Sequence, residues 1–353
     1  MPLKFVFGPS GSGKSTYLYQ HVIEESEKYP LKNFIVLVPE QFTMQTQKDL
    51  VSMHPRHGIM NIDVLSFARL AYRVFEETGT KQMQVLDDEG KNLILRKIAG
   101  DYENKLTVLK GNIKKLGYIS EVKSVISEFT QYDIGEEEMD EMLDHLDEDS
   151  RLYYKLKDIR LLYEGFQDYL RERYITKEEL LDVLNSQVKE SELLKNSVVV
   201  LDGFTGFTPV QNRLILELMR CCKEVWVTVT MDERENPYAY KHPYQLFGLS
   251  KQMVTTLVRM AGEDHIEVEE PVCLYGYPVK RFEKNQELAF LERNIFRYGS
   301  GRYDKAVENL EIHAAGNPRQ EADAVAEGIR RLVRKDQYRY RAVSYTHLTL
   351  PTN

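Results

Sequence analysis

Apolar residues follow two rhythms along this chain. In the first they run on almost without interruption, as in Leu3-Lys4-Phe5-Val6-Phe7, Phe34-Ile35-Val36-Leu37-Val38, Val198-Val199-Val200-Leu201 and Val225-Trp226-Val227-Thr228-Val229. Short apolar runs bounded by turn residues mark strands buried on both faces, the habit of a parallel sheet. Residues 59–64 and 310–315 are further strand candidates. In the second rhythm apolar residues return every three or four positions, which predicts helices over 14–28, 42–53, 211–220, 245–260 and 321–334. Strands alternating with helices predict a doubly wound α/β sheet.

The middle of the chain reads differently. Over residues 80–194 the apolar spacing is helical, as in Val122-Val125-Ile126-Phe129 and Leu152-Leu156-Ile159-Leu162-Tyr163-Phe166, and no strong strand pattern appears. This predicts an all-helical domain inserted into the sheet domain, whose two parts are 1–79 and 195–275. Between Asp133 and Asp149, ten of seventeen residues are carboxylates and none is Lys or Arg. Such a run forms either a solvated face or a surface for a partner. Residues 343–353 complete no strand–turn–helix unit and are expected to be foreign to the gene.

Composition narrows the function classes. At 353 residues the chain is long enough for two lobes, and its net charge of −8 argues against a generally basic nucleic-acid coat protein. The cysteines Cys221, Cys222 and Cys273 have neither redox nor metal-ligand spacing. No apolar run approaches the ~18 residues of a membrane span. The first residues lead directly into a strand, without the pattern of a signal peptide, so a cytoplasmic location and no membrane partner are expected.

The candidate chemistry begins at Gly8-Pro9-Ser10-Gly11-Ser12-Gly13-Lys14-Ser15, followed by Thr16. This fits the phosphate-binding pattern G-x-x-x-x-G-K-S/T, and it lies between a predicted strand and a predicted helix, as that pattern requires. Glycines let the backbone turn tightly, so that its N–H groups converge on phosphate oxygens at the positive end of a helix. Lys14 would neutralise the β and γ phosphates of ATP, and the Ser15 hydroxyl would sit on Mg²⁺. Val198-Val199-Val200-Leu201-Asp202 has the form of a strand that brings a carboxylate to the Mg²⁺ shell. ATP-driven motors usually follow this aspartate with a glutamate that deprotonates the attacking water, a role typically worth ~10²–10⁴ in rate. Here the position is Gly203. ATP binding with weak or absent hydrolysis is therefore expected, unless Gln211 orients the water. No catalytic residue is assigned.

Several motifs occur in a specific order: Gly8–Ser15, Val38-Pro39-Glu40-Gln41-Phe42-Thr43, Ser66-Phe67-Ala68-Arg69-Leu70-Ala71-Tyr72-Arg73-Val74, Leu201-Asp202-Gly203-Phe204-Thr205-Gly206-Phe207-Thr208-Pro209-Val210-Gln211 and Asn317-Pro318-Arg319-Gln320-Glu321-Ala322. With Tyr338-Arg339-Tyr340-Arg341, they make residues 1–342 resemble the N-terminal part of the AddB family. AddB is one of the two chains of the AddAB ATP-dependent helicase–deoxyribonuclease. The resemblance implies a RecA-like fold of the superfamily-1 helicase type, with 276–342 opening a second helicase-like lobe. It implies a heterodimer with an AddA-type subunit that processes DNA double-strand breaks for recombination and halts at Chi. In that family this region is thought to bind DNA and recognise Chi rather than drive the motor. The family's nuclease and 4Fe-4S cluster belong to a C-terminal part, and no cluster ligands are expected in this chain. An arginine completing the nucleotide pocket is expected from the missing part of the second lobe. Gln41, Ser66, Phe67 and Arg69 are the candidate DNA contacts; for Ser66 and Phe67 the alternatives are a helix cap and a core side chain. Two rival functions use the same Gly8–Ser15 loop: a small-molecule kinase, and a scaffold subunit with a vestigial nucleotide site.

Overall fold

Alternation within the apolar runs decides how the sheet is covered. A computed structural model describes residues 2–79, 84–112, 115–171, 174–297, 299 and 301–340. In it, Leu3–Gly8 (β1), Asn33–Leu37 (β2) and Ile62–Leu65 (β3) are strands. Gln84–Val85 (β4) and Tyr174–Ile175 (β5) pair with each other. Ser197–Leu201 (β6), Glu224–Thr230 (β7) and Val272–Cys273 (β8) complete a six-stranded sheet of order β3-β2-β6-β7-β1-β8. Every pairing in it is parallel. Successive side chains on a strand point to opposite faces. Phe5, Phe7, Ile35, Leu37, Val199, Leu201, Val225 and Val227 accordingly enter one core, while Val6, Phe34, Val36, Val198, Val200 and Trp226 enter the other.

Helices cover both faces. Lys14–Lys28 (α1) and Thr43–Met53 (α2) carry Leu18, Val22 and Leu50 into the second core. Phe67–Thr78 (α3) belongs to the first core through Leu70, Ala71 and Val74. The fold is thus a parallel α/β sheet of the RecA-like kind, as the sequence predicts.

A separate apolar cluster lies among Asp88–Asp101 (α4), Leu116–Gln131 (α5), Glu136–Asp144 (α6) and Arg151–Leu170 (α7), built from Leu95, Ile98, Val122, Ile126, Ile159, Leu162 and Phe166. Two polar clips hold it. The buried Asp158 carboxylate accepts hydrogen bonds from the Thr107, Val108 and Leu109 amides and from the Thr107 hydroxyl, at 2.8–3.1 Å. Lys91 donates to Glu178 at 2.6 Å and to Ser127 at 3.2 Å. Burial would raise the Glu178 pKa, but the Lys91 hydrogen bond and charge pull it below the usual value.

Leu180–Gln187 (α8) and Glu192–Lys195 (α9) contribute Leu184 and Leu194 to the sheet's first core. So do Pro209–Cys221 (α10) and Gly248–Glu263 (α11), through Leu214, Leu218, Val254 and Leu257. Contacts divide the chain into two units, Met1–Arg281 and Phe282–Asn353. The second contains Gln286–Asn294 (α12) and Pro318–Lys335 (α13), the latter capped by Asn317.

Two sequence expectations are corrected. Residues 310–315 form no strand; their side chains are largely exposed, with Ile312 95% accessible, and no neighbouring strand pairs with them. The stretch predicted to lack strands contains β4 and β5, each too short to leave a periodic signal. The segment expected to be foreign, 343–353, lies outside the described residues. Among the described residues no helix is long and apolar enough to cross a membrane, and no group of three His, Cys, Asp or Glu could hold a metal ion.

Candidate functional site

In a sheet whose strands all run parallel, every strand's C-terminal end lies on one edge. The loop after β1, Gln41 after β2, Ser66 after β3, Asp202 after β6 and Thr230 at the end of β7 therefore share that edge. This is where open α/β sheets hold ligands.

The loop leaves β1 at Gly8 and turns through a Ser12 N–H to Pro9 C=O hydrogen bond of 3.2 Å. Gly11 has φ +85°, and a Cβ there would come within 2.7 Å of the Arg281 Cβ. Only glycine combines that backbone with so close an approach. Gly13 precedes α1 without a capping side chain, leaving the first-turn amides facing the pocket. The Ser12 Oγ is buried and without a hydrogen-bond partner. It lies behind the pocket lining; the groups that face the pocket are Gly11, Gly13 and the uncapped first turn of α1, whose backbone N–H groups fit a phosphate.

Lys14 lies at the start of α1 with its Nζ donating to the carbonyls of Gly8 at 2.9 Å and Pro9 at 3.0 Å. Burial lowers its pKa to about 8, against the opposing attraction of Asp202; the Arg281 charge lowers it further. Ser15 Oγ donates to Asp202 Oδ1 at 3.1 Å across 187 positions of sequence. Asp202, 5% exposed, also accepts from Thr228 Oγ1 at 2.6 Å and from the Tyr19 hydroxyl at 2.7 Å. Burial and the Asp202 charge raise the Tyr19 pKa, so the phenol stays protonated and remains a donor. Three hydroxyls thus hold one carboxylate beside the Lys14 amine, and a divalent cation there would find Ser15 and Asp202 as its protein ligands.

A pocket of about 490 Å³ gathers Ser10, Gly11, Gly13, Lys14, Ser15 and Thr16 with Asp202, Gly203, Thr228 and Thr230. Its wall also contains Lys280 and Arg281, two side chains that sequence reading does not assign to it. The Arg281 N–H donates to the Gly11 carbonyl at 3.0 Å, fixing this segment against the loop. Arg281 thus brings an arginine to the pocket wall from the same unit as the loop. The available signal was a basic pair just past the turn-forming Gly276-Tyr277-Pro278, but nothing local ties it to residue 11. Tyr19 was more accessible, because it lies one helical turn beyond Ser15 on the same face of α1.

Other candidates separate. Gly203 has φ +79°, so the position after Asp202 is backbone-constrained as well as lacking a carboxylate. Gln211 is no candidate for positioning water in this pocket. Its Oε1 accepts from the Thr208 N–H at 3.0 Å as part of the α10 cap, and it lines a different cleft with Thr205 and Gln252. Ser66 Oγ caps α3 by accepting from the Arg69 N–H at 3.4 Å. Phe67, 7% exposed, packs on Phe204 and Phe207 at ring distances of 5.4 and 6.4 Å. Both therefore have structural roles. Gln41 and Arg69 are exposed on the ligand edge.

The sheet and its loaded edge define a RecA-like α/β protein with a glycine-rich turn after its first strand. Residues 5–292 match the family model described as ADDB, N-terminal, and the chain belongs to that family. It is 44% identical to the B chain of the ATP-dependent helicase/deoxyribonuclease of Lachnoclostridium phytofermentans, over 98% of this chain and 30% of that protein. It is 34% identical to proteins of the same name from Caldanaerobacter subterraneus subsp. tengcongensis, over 96% of this chain and 29% of that protein, and Clostridium kluyveri, over 97% and 30%. The chain thus spans about 30% of the length of these curated relatives.

Proposed function

We propose that this edge binds ATP with Mg²⁺, and that the chain is the nucleotide-binding, helicase-like N-terminal part of a protein acting on DNA in double-strand break repair and recombination. The observation that carries the nucleotide reading is the Ser15–Asp202 hydrogen bond. It joins two separately predicted cation ligands from distant parts of the sequence inside one pocket. The Gly11 cradle and the facing Lys14, Lys280 and Arg281 support a triphosphate over a neutral ligand. Bound Mg²⁺ would supply charge neutralisation of the phosphates, with Ser15 and Asp202 as its protein ligands.

Hydrolysis is weak or absent in this reading, because no carboxylate follows Asp202 and Gln211 is committed to a helix cap. DNA contact through Arg69 and Gln41, Chi recognition, and pairing with an AddA-type subunit in the cytoplasm extend the proposal on family grounds. Titration calorimetry with ATP and Mg²⁺ tests its centre. The wild-type chain is expected to give saturable heat that Lys14→Ala abolishes. Equal signals from the two would leave only a vestigial pocket.

A further inference from the structure

In the helical part, α5 and α6 each lean on α7 but scarcely touch one another. Between them lies an apolar trough of about 730 Å³. Its floor includes Phe129, Leu156 and the buried Ile159, and its lips include Met142 and Leu152, which are 40% and 58% exposed. Large apolar side chains gathered on a concave surface mark an interaction site more often than a bland face. One wall is negative: Glu138 and Glu141 stand on it, within the stretch of ten carboxylates that contains no Lys or Arg. Asp140 and Glu136 are paired with Arg160. Glu137, Glu141 and Asp144 have no ion pair among the described residues. Lys155 stands on the α7 side.

We propose that this trough receives an amphipathic helix of a partner protein, with an apolar stripe seated on Met142, Leu152 and Ile159 and a Lys/Arg flank along α6. Charge selects this occupant. A nucleic acid or an anionic membrane would meet the carboxylates at like charge, and a nucleic acid offers no apolar stripe. A helix with residues at i, i+3, i+4 and i+7 matches a groove walled by helices. The inference is independent of the nucleotide reading, since the trough shares no residue with the phosphate pocket.

The test uses the whole chain and fluorescence anisotropy with labelled peptides of roughly 18 residues. One carries a leucine stripe with a lysine flank, one has glutamates in place of the lysines, and one scrambles the stripe; a single-stranded oligonucleotide is the fourth probe. The lysine-flanked peptide is expected to bind at least about tenfold more tightly than the other two and to weaken as salt rises. Leu152→Glu and Met142→Glu, both at exposed positions, are expected to reduce its affinity about tenfold or more. Glu137→Lys with Glu141→Lys is expected to transfer preference to the glutamate-flanked peptide, a gain that misfolding would not produce. Equal binding of all three peptides, no transfer of preference, or an oligonucleotide that competes for the trough would overturn the proposal.

Discussion

Gly203 offers a test in which backbone strain and missing chemistry can be told apart. Its φ of +79° lies where a Cβ crowds the carbonyl, a cost of roughly 1–2 kcal/mol for an ordinary residue. Space is no obstacle, because an added Cβ would meet only Pro39 Cδ, at an ordinary 3.7 Å. Replacing glycine also restricts the unfolded chain, which returns about 0.4–1 kcal/mol. Gly203→Ala should therefore lose between about 0 and 1.6 kcal/mol net, at most a drop of a few degrees in Tm for a domain of this size. Gly203→Asn should lose less, since asparagine visits this region more readily. Gly203→Glu should behave like alanine in stability and should not raise phosphate release, because a backbone at φ +79° does not aim a side chain as the extended end of a strand would. Differential scanning calorimetry on the four proteins, with a phosphate-release assay alongside, reads both effects. An alanine variant more stable than wild type would refute the strain argument. A glutamate variant that hydrolyses ATP briskly would refute the claim that geometry, as well as residue type, denies this position a general base.

Lys14 and Asp158 give two further tests. The Lys14 ammonium titrates near pH 8 in the folded chain, whereas an unfolded lysine keeps its proton to ~10.4. The unfolded state therefore binds more protons between those values. Stability from this group should rise with pH across that window, by up to ~1.4 kcal/mol per pH unit, in denaturant titrations of wild type but not of Lys14→Met. ATP affinity should move the opposite way, holding steady below about pH 7.5 and weakening above 8 as the amine loses its charge; calorimetry showing no such fall would remove Lys14 from the phosphate contact. Asp158→Ala strands the amides of Thr107, Val108 and Leu109, at about 1–3 kcal/mol for each group left buried without a partner. A loss of at least ~3 kcal/mol is expected by urea denaturation. A loss below about 1 kcal/mol would mean that water serves those amides equally well.

Much of the fold was readable because it rests on period alone. Unbroken apolar runs have only one comfortable setting, a parallel strand covered on both sides, and β1, β2, β6 and β7 appear where the pattern put them. Residues 310–315 misled because their apolar residues never meet a pairing strand; strand formation needs a neighbour, which composition does not supply. The candidate site divides in the same way. Gly8 to Ser15 form a continuous loop, so their convergence is a local property that the sequence states outright. Asp202 was legible as a strand end, and parallel topology turned that into proximity.

Tertiary packing decided the rest. Tyr19 and Thr228 became partners of Asp202 only because α1 and β7 lie against its strand. Lys280 and Arg281 reach the pocket by a path that no periodicity records, and one N–H bond to Gly11 holds that path in place. Ser66 and Phe67, legible in the sequence as DNA contacts or as scaffold, take part in a helix cap and an aromatic cluster that only the fold assembles. Local chemistry is written in neighbouring residues and can be read there. Which distant side chains share a pocket depends on how whole layers pack, and that is a property of the folded molecule.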